Sequence, residues 1–191
     1  MKILLLGPKR KNIINYLSSF GDEIINTEKP LDNESVYLNG VDYIISYGYR
    51  FRISREIIEM FPKKAINLHI SLLPWNKGAD PNLWSFLEDT PKGVTIHYMD
   101  YKIDAGDILV QQEVGYLPND TLRTSYERLS HVIEGLFIKV WPQIRSGKQK
   151  SMPQPEGGTF HYLRDRYNYQ YLMTQGWDTP VSKLIGKALK K

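Results

Sequence analysis

The chain of 191 residues has no cysteine, only four histidines, and no apolar run long enough to cross a membrane. Without thiols, neither disulfides nor thiolate metal sites can form. Four scattered histidines also argue against a protein-held zinc or iron centre. A membrane-spanning helix needs about 18–20 consecutive apolar residues. The opening Met1-Lys2-Ile3-Leu4-Leu5-Leu6-Gly7 is too short and too soon interrupted for a signal peptide. The expectation is a cytoplasmic protein with no membrane contact. Internal repeats and low-complexity tracts are lacking, and neither sign of charge dominates, the net value being +4.

What is present suits an ordinary globular chain able to bury a core, with 41% hydrophobic and 24% charged residues. Positive charge gathers at Lys9-Arg10-Lys11, at Lys148 to Lys150, and in the terminal Lys187-Ala188-Leu189-Lys190-Lys191. The last two groups read as solvated surface. The first follows strand-like residues and opens a helix-like segment, where backbone N–H groups add to the lysine charge; it is a candidate phosphate contact. The positive charge is not interleaved with a nucleic-acid recognition motif, so nucleic acid is not the expected partner.

Hydrophobic periodicity predicts strands at Lys2–Leu6, Glu23–Thr27, Val41–Ser46, Ala65–Ile70, Gly93–Met99 and Ile108–Val114. It predicts a helix over Asn12–Phe20 with Ile13, Ile14, Leu17 and Phe20 inward, and a second capped by Ser54. A third covers Pro81–Leu87 with proline at its first position. The longest is capped by Asp120 and carries a stripe of Leu122, Tyr126, Leu129, Ile133, Leu136, Phe137, Val140 and Ile144, with His131 off it. Strands alternating with helices imply an α/β fold on a mostly parallel sheet. From Ser151 the composition turns to proline, glycine and aromatics, and Gly157–Tyr162 reads as a hairpin strand. The expected organisation is a catalytic domain at 1–150 and a short extension at 151–191.

Chemistry concentrates in two places. Asn67 and His69 lie two apart on a predicted strand and so project to one side. Asp104 opens the Asp104-Ala105-Gly106 turn that ends the Gly93–Met99 run. An amide, an imidazole and a carboxylate can hold an oxyanion and manage a proton without a protein nucleophile. His97 alternates with apolar neighbours and reads as structural.

The strings Asn67-Leu-His-Ile-Ser-Leu-Leu-Pro74, Gly78-Ala-Asp-Pro81, Gly93-Val-Thr-Ile-His-Tyr-Met-Asp100 and Ile103-Asp-Ala-Gly-Asp-Ile-Leu109 resemble the formyltransferase family that uses N10-formyltetrahydrofolate. The likeness runs from about Asp42 to Val114 and is greatest to the sugar N-formyltransferases. It implies a Rossmann-like mostly parallel sheet, shortened N-terminally by roughly one βα unit, since the catalytic string begins at residue 67. Asn67, His69 and Asp104 fall on the family's catalytic positions. The folate would lie against Gly48, Tyr49, Arg50, Phe51 and Ile53, and against Tyr98, Met99, Asp100, Tyr101 and Ile103. About forty residues follow the long helix, which leaves no room for a tRNA-binding barrel. The expected acceptor is a nucleotide-linked deoxyamino sugar used in glycan assembly. Lys77, Lys9 or Arg10 would then meet its diphosphate, and Trp75 or Trp84 would pack on a ring. Other readings are formyl transfer to an aminoacyl-tRNA, a carrier-bound aminoacyl group or water, and a folate-binding module without turnover. The aromatics after Phe160 suggest a homodimer surface or a lid.

Overall fold

The computed structural model describes residues 1–189, so Lys190 and Lys191 of the terminal basic run lie outside the described residues. The principal strands are β1 (Lys2–Leu6), β2 (Glu23–Thr27), β3 (Tyr43–Ser46), β4 (Ala65–His69), β6 (Gly93–Tyr98) and β7 (Ile108–Glu113). They form one sheet in the order β2-β1-β3-β4-β6-β7, and β1 is parallel to both β2 and β3, as β3 is to β4. Ser46 sits in register with Asn67, which sets the polar end of β4 at the carboxyl edge of the parallel strands. In open α/β sheets that edge is where ligands bind.

The chain divides into two compact units. The first comprises Met1–His69, Ile96–Val110 and Glu134–Pro153; the second comprises Ile70–Thr95, Gln111–Ile133 and the residues from Gln154 onward. This partition interleaves chain segments. In the first unit, Leu4, Leu6, Ile44, Ile57, Phe61 and Ala65 share a buried cluster. Burial of such side chains contributes about 25 cal/mol per Å² of apolar surface.

Helix α1 (Lys11–Ser18) buries Ile13 and Leu17 as its period requires, but it ends before Phe20. Phe20 is therefore not inward. It is exposed beyond the helix end, its ring edge-on to Tyr16 at 5.2 Å and beneath the Arg145 guanidinium. Helix α2 (Arg55–Met60) is capped as expected, the Ser54 hydroxyl accepting the Ile57 N–H. Strand β3 begins at Tyr43, two residues later than its apolar run suggests.

In the second unit, α3 (Pro81–Leu87) starts on proline and buries Asn82 through Leu87, a helix covered nearly all round. Leu83, Trp84, Phe86 and Leu87 pack with Leu122, Val181 and Leu184. Short strands β5 (Lys77–Gly78) and β8 (Phe160–His161) pair in parallel, so the anticipated hairpin at Gly157–Tyr162 is not one. Gly78 makes that pairing possible: at φ 87 a Cβ would sit 2.3 Å from the His161 carbonyl oxygen. Beyond β8 the backbone runs in 3-10 turns at Leu163–Leu172, Gly176–Asp178 and Val181–Lys183.

The long helix α4 (Leu122–Arg145) bears the expected stripe, with Leu129, Ile133, Phe137 and Ile144 buried and His131 exposed. Its start differs from expectation. Thr121 and Thr124 bond reciprocally through hydroxyl and backbone N–H, taking the capping role expected of Asp120. The Asp120 carboxylate is drawn instead to the Arg128 guanidinium and accepts the Leu117 N–H and the Thr124 hydroxyl. Charge-assisted bonds outweigh a neutral cap, and the Arg128 guanidinium holds the Asp120 carboxyl down to about 2.

Candidate active site

Strand β4 delivers Asn67 and His69 to one side of the sheet, as period-two alternation demands. Asp104 comes from the turn between β6 and β7, where its own φ is 52, a left-handed conformation that aspartate tolerates better than most residues. Gly106 completes the turn, for a Cβ there would lie 2.0 Å from the Tyr98 carbonyl oxygen. The turn is closed by the Tyr98 N–H donating to the Asp107 carbonyl. Backbone strain is thus spent on aiming one carboxylate.

All three groups lie in the first unit and converge. Asn67 Nδ2 donates to Asp104 Oδ1 at 3.0 Å, and His69 Nδ1 stands 3.6 Å from Asp104 Oδ2. The His69 and Asp104 side chains are only 7% and 9% exposed. Asp104 is thereby held among polar partners in a nearly closed setting, where each electrostatic contact counts for more than in water.

One residue of the site was not anticipated. His97 Nε2 lies 3.5 Å from Asp104 Oδ1 and 3.4 Å from Asn67 Nδ2. Its Nδ1 is 2.7 Å from the Tyr98 carbonyl, which can only accept, so Nδ1 carries a proton. Neutral His97 can then accept an Asn67 hydrogen through Nε2, and a charged His97 would donate to Asp104 instead. His97, expected to be structural, touches both Asn67 and Asp104. The sequence did carry a signal. Thr95 and His97 share one face of a strand buried from Gly93 to His97, and polar groups on a buried face need polar partners.

The two loops expected to flank folate meet in the same unit, the Arg52 guanidinium donating to the Tyr101 carbonyl at 3.2 Å. Tyr49, Ile53 and Met99 pack with the core, Tyr49 also donating its hydroxyl proton to the Lys29 carbonyl. Phe51, Tyr101 and Ile103 remain as exposed apolar groups, with Gly48, Arg50 and Asp100 exposed beside them and Tyr98 half-buried. Large apolar side chains on two adjoining loops fit a flat ring system.

Of the residues expected at the acceptor, Lys9 is exposed and the Arg10 guanidinium lies 4.3 Å over the Tyr47 ring, both in the first unit. Trp75 and Lys77 are half-buried in the second unit. Trp84 does not serve as a ring platform. It is 3% exposed, stacked face to face on His161 at 3.7 Å, because α3 is buried on every side. Among the described residues no cluster of three or more histidine, cysteine or acidic side chains has a metal-holding arrangement, and no helix is long and apolar enough to cross a membrane.

Residues 26–141 match the family model described as formyl transferase. This chain belongs to the formyl transferase family. It is 62% identical to the formyltransferase PseJ from Anoxybacillus kamchatkensis, over 98% of this chain and 100% of that one, with a TM-score of 0.96. That enzyme was solved in complex with UDP-4,6-dideoxy-4-formamido-L-AltNAc and tetrahydrofolate. The same fold recurs at lower identity. A 4-N formyltransferase from Francisella tularensis matches at 22% identity over 87% of this chain and 78% of that one, TM-score 0.76. A methionyl-tRNA formyltransferase from Clostridium thermocellum matches at 19% over 93% and 86%, TM-score 0.67. As a family member the chain is a formyltransferase on an α/β, mostly parallel sheet.

Proposed function

We propose that this formyltransferase moves the formyl group of N10-formyltetrahydrofolate onto the amine of a nucleotide-linked deoxyamino sugar, with UDP as the nucleotide. The observation that carries this is the 62% identity, along essentially the whole of both chains, to an enzyme solved with a formamido sugar nucleotide and tetrahydrofolate. Those two molecules are a product pair of such a transfer. Both co-substrates are charged and water-soluble, which supports a cytoplasmic site of action.

The roles follow from the geometry. The unprotonated sugar amine attacks the formyl carbon, and the former carbonyl oxygen becomes negative. Asn67 and a protonated His69 donate hydrogen bonds to that oxygen; one such donor contributes roughly 3–4 kcal/mol. Asn67 already donates to Asp104 at 3.0 Å and approaches His97 at 3.4 Å. The longer contact is the weaker, so the hydrogen directed at His97 is the one given to the oxyanion. Asp104 collects the proton that the amine sheds. That proton returns to N10 as the carbon–N10 bond breaks, leaving the formamido sugar and tetrahydrofolate. Asp104 also keeps His69 oriented and charged. Phe51, Tyr101 and Ile103 would hold the folate ring, and Lys9 and Arg10 of the same unit supply cations for the acceptor's phosphates.

Incubation with N10-formyltetrahydrofolate and a UDP-linked 4-amino-4,6-dideoxy sugar should yield a product heavier by one formyl group. Turnover confined to aminoacyl-tRNA, or to water, would displace this reading.

A further inference from the structure

The stretch from Phe160 to Trp177, in the second unit, is dense in aromatic residues and has no lysine, glutamate, serine or alanine. Protein interfaces are enriched in tyrosine, tryptophan, phenylalanine, methionine and arginine, and are depleted in those four types. Much of the stretch is the 3-10 segment Leu163–Leu172, in which three residues make a turn. Tyr167, Tyr169 and Tyr171 are spaced by two, so at that period they fall on three different faces. Tyr169 takes the inward face with Leu172, packing on the core and meeting the Trp84 ring edge-on at 5.5 Å. The faces of Tyr167 and Tyr171 stay outward, 60% and 73% exposed. A segment that served only the core beneath it would need aromatics on one face.

These tyrosines have exposed company. The Phe160 and Tyr162 rings meet edge-on at 4.9 Å, the Arg164 guanidinium lies over Tyr162, and that of Arg166 lies over Tyr167. Arg166, Gln170, Met173 and Trp177 then border one cleft with Leu83 of α3. Phe160, Tyr162, Leu163 and Trp177 are exposed as well. At about 150–250 Å² for a whole large aromatic, the six exposed groups present roughly 600 Å² of apolar surface. That reaches the upper end for the largest patch on an ordinary monomer, about 300–600 Å². It also suffices for the non-polar part of a standard interface, which takes about 800 Å² from each partner and is somewhat more than half apolar.

We infer that this surface of the second unit is the docking face for a second copy of the chain. Its charges suit self-association better than an oppositely charged partner. Arg166 pairs with Asp80 at 3.1 Å, Arg123 pairs with Asp178 at 2.7 Å, and Arg164 and Asp165 are neighbours of opposite sign. These charges cancel, so two copies of the face do not repel. An isologous contact sets the same residues against one another about a two-fold axis. Arginines of one copy then lie over tyrosine rings of the other.

Sedimentation velocity at micromolar concentrations should show wild type forming a species of twice the chain's mass. Tyr167→Glu together with Tyr171→Glu puts carboxylates on the face and should weaken the dimer by about 100-fold or more, the scale of lost hot spots. Circular dichroism confirms that this variant is folded. The chain has no cysteine, so a single introduced thiol gives a second readout. With a short bis-maleimide linker, Tyr171→Cys should cross-link about 100-fold faster than Val36→Cys, an equally exposed position (73%) of the first unit. The dimer would hold the two Tyr171→Cys thiols at millimolar effective concentration. A wild type that stays monomeric to millimolar concentration would overturn the inference and leave this surface to another molecule. A dimer untouched by the paired substitution, with the two thiol variants linking at one rate, would overturn it as well.

Discussion

Imidazole beside carboxylate occurs twice in this molecule, and the two places are built differently. In the first unit, Asp104 faces His69 at 3.6 Å and His97 at 3.5 Å, with the Asn67 amide against the same oxygen as His97. In the second unit, His161 Nε2 lies 3.2 Å from Glu88 Oε2, while its ring is stacked on Trp84 at 3.7 Å and the Trp84 edge meets Tyr169. The first carboxylate stands on a turn in the left-handed region among groups that can exchange protons. The second pair joins β8 to α3 beneath aromatic cover. The lesson is that a histidine–carboxylate contact is not itself a catalytic signature. Partners that can donate to a developing charge, and strain spent on aiming the acid, distinguish the two.

Substitutions can break this contrast, and the largest effect should come from Asp104→Asn. Losing the proton acceptor should slow turnover by roughly 10³-fold or more, within the range of general acid–base catalysis. Activity near wild type would remove Asp104 from its role. Asn67→Ala should cost roughly 10²–10³-fold in kcat through the lost oxyanion donor, while folate affinity by fluorescence titration stays close to wild type. An unchanged kcat would exclude the amide from that role. His97→Gln should lower kcat by about 10–100-fold, because it misplaces Asn67 and Asp104 without removing a reacting group. Its pH–rate profile should move as well, which simple loss of packing would not cause.

Two further variants sharpen the structural side. Arg128→Gln leaves the Asp120 carboxylate without its cation and should cost about 1–2 kcal/mol at neutral pH. Pairing holds Asp120 down to about 2, from an ordinary value near 3.8. The pair's stabilisation is therefore complete above about pH 4 and fades as pH falls through about 2. Denaturation curves of wild type and variant should converge across that window. A gap that persists at low pH would mean that the ion pair is not the source. The smallest effect belongs to His161→Leu. It should lower stability by about 1 kcal/mol through lost stacking, a Tm fall of about 2–4 °C for a chain of this size, with kcat unchanged. A large kcat loss would show that the second pair is not merely structural.

Much of this was legible in the residues alone. Apolar runs placed the buried strands, and the three-and-four spacing after Thr121 marked the long helix, because both patterns report directly on which face meets the core. Asn67 and His69 declared themselves through their spacing of two. Less visible were features that depend on distant segments. His97 looked like packing because alternation shows only that a face is buried, not what lies opposite. Trp84 looked available because its helix is short and its covering residue, His161, lies far along the chain. Asp120 resembled a cap, and only the nearby Arg128 drew it elsewhere.

By itself the sequence determined the strands, the helices and the two short strings that hold the amide, imidazole and carboxylate. These depend on local periodicity and on the side chains' own chemistry. Tertiary structure alone decided that Asp104 has two imidazole neighbours and not one. It also decided that β8 pairs in parallel with β5, and that Gln170, Met173 and Trp177 border one cleft with Leu83. Such contacts join residues far apart in the chain, and their formation depends on how the whole sheet and its covering segments fold together, which no local pattern encodes.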